Sequence, residues 1–145
     1  MNNSMKMEFL SLSQNEKFAR TAVASFVAQL NPTLDEIEDI KASVSEAVTN
    51  AIVHGYADSV GIVYITCDLK DSEAIITVRD TGCGIEDISL ARTPLYTGVQ
   101  NSERSGLGFT VMETFTDEID VTSAPGEGTT ITLIKRISAQ APKSE

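Results

Sequence analysis

Four short stretches of this chain hold residue types that can do chemistry. In the first, Glu46, Asn50 and His54 recur at i, i+4 and i+8 within a helical pattern. On an α-helix this spacing makes one row, with neighbours about 5–6 Å apart at Cβ. A carboxylate there can take a proton from an attacking nucleophile, and an Asn oxygen one turn on can bind a hard cation such as Mg2+. A solvated polar stripe accounts equally for the row taken alone. In the second, VRDTGCGI at 78–85, Asp80 is followed by Gly82 and Gly84. Glycine lets a backbone approach a ligand closely or adopt positive φ, and the Asp80 carboxylate can accept a hydrogen bond from an exocyclic amine such as that of adenine. A plain strand-terminal turn would read the same way.

The third stretch, RSGLGFTVME at 104–113, opens a helix with Gly106 and Gly108. Free amides and the helix dipole at such a start favour phosphate, and Arg104 can add a charged contact to a terminal phosphate. A glycine-rich helix start without a ligand is the alternative. The fourth is Gly128-Thr129-Thr130. A hydroxyl there can reach a base or a bridging water, and β-propensity alone explains it equally well. Two familiar phosphate motifs are excluded. No G-x-x-x-x-G-K-[ST] occurs, and Gly82-Cys83-Gly84 lacks the third glycine and the long helix that a dinucleotide fold requires.

These stretches must be positioned by a small set of elements. Residues 6–12 alternate, with Met7 and Phe9 on one side, and predict a first strand. Ser13, with Glu16 three residues on, predicts a capping box for a helix through Leu30, which Asn31-Pro32 stops. Thr33 and Glu36 predict a second box, for a helix ending at Gly55 with Val44, Val48, Ala51 and Ile52 toward the core. GIVYITCDL and EAIITVRD predict a hairpin across Lys70-Asp71-Ser72. Residues 86–105 show no period, and a loop of that length in a compact domain is usually functional. A third helix starts near Gly106. Two strands flank the turn Pro125-Gly126-Glu127-Gly128, and SAQAPKSE reads as a disordered tail. Clustered rather than alternating elements predict an α+β sandwich, with helices on one face of a mixed, largely antiparallel sheet. The predicted division is one domain over 1–136 and a flexible tail over 137–145.

The composition narrows the partners. A net charge of -10 argues against nucleic acid, since phosphate contacts need clustered Lys and Arg. An anionic small molecule remains compatible, because backbone amides and a bound cation can supply a local positive field. No apolar run approaches the length of a membrane span. The N-terminus lacks the basic start and apolar core of a signal peptide, so a cytoplasmic protein is expected. Cys67 and Cys83 are expected as free thiols, and a single histidine leaves little for a zinc site.

In this order, with a long loop between the second and third, the four stretches resemble the nucleotide site shared by DNA gyrase, the histidine kinases and a mismatch-repair ATPase. Glu46 and Asn50 match that superfamily's N box. Asp80, Gly82 and Gly84 match its D-x-G-x-G box, Gly106 and Gly108 its second glycine box, and Gly128 and Thr129 its Gly-Thr element. The loop from about Ser89 to Ser105 corresponds to its ATP lid. More closely, SEAVTNAIVHGY, VRDTGCGI, ARTPLYTG and ERSGLGFTVME are similar to the anti-sigma F factor family, the serine kinases of the sporulation switch in endospore-forming bacteria.

The resemblance implies a Bergerat-type ATP-binding fold, Mg2+ and ATP as cofactors with ADP as product, and a homodimer. It implies inhibition of a sporulation sigma factor and phosphorylation of a serine on an anti-anti-sigma protein. Glu46 would then be the general base, Asn50 the Mg2+ ligand and Asp80 the adenine reader. The amides of Ser105, Gly106, Leu107 and Gly108 would cradle phosphates, Arg104 would contact the γ-phosphate, and Thr129 would lie at the nucleotide. Arg20 resembles the family's exposed partner-contacting arginine, although a solvated helix charge fits it as well. Two alternatives share the boxes: a general-stress kinase of the anti-sigma B type, and an ATP-dependent sigma-binding module without turnover.

Overall fold

The computed structural model describes residues 2–85, 87–92 and 108–138. Five strands, β1 (Asn2–Leu10), β2 (Ile62–Lys70), β3 (Glu73–Asp80), β4 (Glu118–Ala124) and β5 (Gly128–Arg136), form one sheet in the order β1-β2-β3-β5-β4. The sheet expected to be mixed is antiparallel at every one of these pairings. Helices α1 (Asn15–Val27), α2 (Leu34–Thr49), α3 (Ile88–Ala91) and α4 (Gly108–Phe115) complete the fold. Residues 88–91 were expected to be irregular. They form a single turn because Asp87 Oδ1 accepts the Leu90 amide at 3.0 Å, a local cap that no periodicity reveals.

Alternation decides which sheet face is covered. Val63, Ile65, Cys67 and Leu69 of β2, Ala74, Ile76 and Val78 of β3, and Ile131 and Leu133 of β5 are all buried. Their neighbours on the other face are more exposed. α2 supplies Ile40, Val44, Ala47 and Val48 against this face, α1 supplies Ala19, Val23 and Val27, and α4 supplies Met112. The helices therefore form one layer on the sheet, as expected. Burial of Cys67 pushes its thiol up to about 12.

Helix starts divide sharply. At α2 the expected box forms in full: Thr33 Oγ1 accepts the Glu36 amide at 3.1 Å, and Glu36 Oε1 accepts the Thr33 amide at 2.8 Å. At α1 the box expected from Ser13 and Glu16 does not form. The cap residue is Gln14, which makes no side-chain cap bond. Glu16 instead turns toward Arg20, with Oε2 at 3.6 Å from Nε, and Asn15 Nδ2 ties the junction by donating to Leu10 O at 2.9 Å. Ile137, the first residue of the expected tail, is buried and donates its amide to Ser72 O at 2.8 Å.

Candidate functional site

The site begins where α2 loses its regular phase. Residues Asn50–Gly55 continue the helix as a π-helical segment, with the Tyr56 amide reaching back five residues to Ala51 O at 2.9 Å. Such segments widen a helix locally and recur at functional sites. Glu46 and Asn50 keep their one-turn relation, Glu46 half-buried and Asn50 buried. His54 leaves the row expected from i+8 spacing, because the wider turn inserts extra angle between it and Asn50. Ala51 is buried and Ile52 partly buried against the core, as their positions predicted.

Asp80 ends β3 directly opposite Gly55. A Cβ on Gly55 would lie 2.7 Å from the Asp80 carboxyl carbon, so only glycine lets that carboxylate sit against the helix end. Asp80 is 3% exposed, and its Oδ1 accepts the Gly82 amide at 2.9 Å. Burial pushes its carboxyl above the usual range, partly offset by the Gly82 and Thr129 amides and by Arg79. Because the folded value lies above the unfolded one, the folded state binds this proton more tightly. The stability Asp80 contributes is present below the ordinary carboxylate range and is lost as pH rises through the raised value. Asp80→Asn, which keeps an oxygen for Gly82, is therefore expected to make the ligand-free protein more stable at pH 7. That advantage should shrink toward about pH 4, near the ordinary carboxylate value. Denaturant titrations at both pH values check it; equal stabilities at pH 7 would remove the strain.

The two glycines after Asp80 serve packing within the protein. A Cβ on Gly82 would fall 1.9 Å from Gly55 O. Gly84 has φ 79 and faces Ala124 O, where a Cβ would lie at 2.0 Å. The loop is thus pressed between the end of the π segment and the β4–β5 turn. Cys83 fastens both sides: its amide donates to Gly55 O at 2.9 Å, its exposed thiol to His54 O at 3.0 Å, and its carbonyl accepts the Gly126 amide at 2.7 Å.

Two further residues hold this loop, and the motifs did not point to either. Tyr56, 8% exposed, donates its hydroxyl to Ile62 O at 2.6 Å and accepts the Thr81 amide at 2.8 Å. Tyr56→Phe would leave both backbone groups without this partner, and an unpaired buried group costs about 1–3 kcal/mol. We expect a stability loss of roughly 2 kcal/mol in urea titrations; a wild-type midpoint would dismiss the clamp. Ser123 lies on β4, opposite Thr129 of β5, which itself lies opposite Asp80. Its signal in the sequence was a serine on the strand face where Ile119 and Val121 point toward the core.

The structure therefore brings Asp80, Gly82, Gly84 and Thr129 together at the end of the helix that carries Glu46 and Asn50. Thr129 is 4% exposed. Gly108 is the first described residue of α4 and is buried. Arg104, Ser105, Gly106 and Leu107, with most of the expected lid, lie outside the described residues. The flanks of that segment are joined, since Arg92 Nη2 lies 2.6 Å from Glu113 Oε2 of α4. Arg20 stands apart on α1, half-buried beside Glu16. No helix among the described residues is long and apolar enough to cross a membrane.

Comparison with known proteins agrees with this geometry. Residues 11–135 match the family model of the histidine kinase-like ATPase domain. The chain is 56% identical over 138 residues to the anti-sigma F factor of Clostridium novyi, covering 94% of this chain and 96% of that protein. It is 55% identical over 139 residues to the anti-sigma F factor of Bacillus subtilis, covering 95% of each. Among solved structures, the RsbU and RsbW domains of Rv1364c from Mycobacterium tuberculosis superpose with TM-score 0.67 at 23% identity, over 93% of this chain and 32% of that one. The histidine kinase domain of a blue-light activated kinase from Erythrobacter litoralis gives TM-score 0.54 at 18% identity, over 84% of this chain and 61% of that one. Both share the fold. The chain belongs to the histidine kinase-like ATPase domains and, within them, to the anti-sigma F factor family.

Proposed function

We propose that this protein binds and inhibits a sporulation sigma factor and uses Mg-ATP to phosphorylate a serine of its anti-anti-sigma antagonist. One observation carries the nucleotide part: a buried carboxylate, Asp80, is held by a glycine-built loop at the end of the helix bearing Glu46 and Asn50. The names of the relatives support the sigma-factor part.

The residues fit the cofactors. Asp80 and Thr129 offer buried oxygens to a base, and Asn50 offers a buried carboxamide oxygen to a cation. Among the described residues no group of three or more His, Cys, Asp or Glu gathers to hold a metal. Mg2+ suits that arrangement, because it takes few protein ligands and keeps water and phosphate oxygens. Bound ATP supplies the transferable phosphoryl group. Around it Asp80 holds the base, Glu46 accepts the serine proton, and Ser105, Gly106, Leu107 and Gly108 provide amides, with Arg104 contacting the terminal phosphate. Catalysis of this kind is mainly positioning and charge neutralisation. Arg20 contacts the protein partners, and the protein works in the cytoplasm as a homodimer over one domain.

The test is incubation of purified protein with γ-labelled ATP, Mg2+ and the cognate anti-anti-sigma protein. Label on a serine, with ADP released, supports the kinase. ATP binding without label supports the sigma-binding module instead. Capture of a general-stress sigma factor in place of the sporulation factor would replace the assignment by the anti-sigma B type.

A further inference from the structure

Ser123 has no part in the reading above, yet its hydroxyl is the most heavily used at the site. Ser123 Oγ accepts the Ile85 amide at 2.7 Å, lies 2.8 Å from Gly128 O and lies 2.9 Å from Thr129 Oγ1. A serine hydroxyl has one proton. Gly128 O is a carbonyl and can only accept, so the Ser123 proton goes there. The contact with Thr129 must then be made by the Thr129 proton. Thr129 Oγ1 is left with lone pairs alone.

Asp80 stands next to it across the β3–β5 ladder, and Thr129 across the β5–β4 ladder from Ser123. Residues directly opposite in antiparallel strands share a face. The three side chains thus form one row on the helix-covered face, and the two nearest the loop present oxygen acceptors. We infer that Ser123 is a positioning residue that sets base specificity: by taking the Thr129 proton it leaves the pocket with acceptors only, which selects a 6-amino purine over a 6-oxo purine. This rests on the reading that the base sits at Asp80 and Thr129. A 6-oxo group brought against two acceptors finds no donor, and a site built to pair with one polar group rejects its counterpart strongly.

Inosine triphosphate isolates the feature, since it differs from ATP only at the 6-position and the adjoining ring nitrogen. Calorimetric affinities for ATP and for inosine triphosphate give the discrimination ratio. Ser123→Ala frees the Thr129 proton to turn toward the 6-oxo oxygen, and the ratio is expected to fall roughly tenfold, the worth of about one hydrogen bond. Ser123→Thr restores the proton acceptor and should restore the ratio. Thr129→Val removes the acceptor and should lower the ratio by itself, a check that survives if Ser123→Ala does not fold. In the Thr129→Val background Ser123→Ala should change the ratio no further, whereas a loss of mere structural support would still act. A wild-type ratio in Ser123→Ala or in Thr129→Val overturns the inference, as does a further fall in the double variant. Wild-type protein that binds neither nucleotide overturns the nucleotide reading itself.

Discussion

Glu46→Gln is expected to bind ATP with close to wild-type affinity and to lose phosphotransfer by roughly 10²- to 10⁴-fold, the usual contribution of a general base. The reasoning is local. Glu46 lies one helical turn before Asn50 on the last regular turns of α2, half-buried, where a carboxamide of equal shape preserves packing and removes only basicity. Single-turnover labelling of the serine substrate, with nucleotide affinity measured in parallel, separates the two effects. Unchanged turnover would take the proton-accepting role away from Glu46. A parallel loss of affinity and turnover would move Glu46 into nucleotide binding.

Gly82→Ala should damage the site more broadly. The new Cβ would lie 1.9 Å from Gly55 O and 2.3 Å from its carbonyl carbon, both backbone atoms that cannot swing aside. Either the loop or the end of the π segment must move. Overpacking of this kind costs about 1–3 kcal/mol, sometimes more. Asp80 Oδ1 also loses its partner amide, so nucleotide affinity should drop by at least about tenfold. Thermal denaturation and nucleotide titration measure the two. Gly126→Ala is the control: its φ of 78 is strained for alanine, but a Cβ there meets nothing within 4 Å. Gly126→Ala should therefore cost only the backbone penalty, about 1–2 kcal/mol, and leave the nucleotide affinity near wild type. If Gly82→Ala behaved like Gly126→Ala, the loop would not be resting on Gly55.

What was legible in the sequence follows the range of the interactions involved. Thr33 and Glu36 satisfy each other within four residues, so their box could be read directly. Ser13 and Glu16 have the same spacing, but β1 feeds straight into α1, and Asn15 and Ser11 take over the junction through Leu10 O and the Gly61 amide. Strand faces were legible because alternation needs only a period of two. The row of Glu46, Asn50 and His54 was legible as far as Asn50. Beyond it the π segment breaks the 3.6-residue template that any periodic reading assumes. The glycines were correctly singled out, but for approach to a ligand. The structure shows Gly82, Gly84 and Gly128 making room for Gly55 O, Ala124 O and Asp80 O, contacts between segments far apart in the chain. Tyr56 and Ser123 act on partners 25 and 6 residues away, where no motif spacing applies.

The π segment also bears on how the chain tolerates insertions and deletions. From Asn50 to Gly55 the helix carries one more residue per hydrogen-bonded turn than an α-helix does. Deleting a single residue there would return it to α-helical phase and rotate everything after the cut by about 100°. Gly55 O would then no longer face the Cys83 amide, and Tyr56 would point away from Thr81. Loop deletions elsewhere need only be re-closed by slack chain. Here one codon would change the rotational setting between α2, which bears Glu46 and Asn50, and the loop that holds Asp80. The reading frame of the helix, and not just its composition, is part of the site.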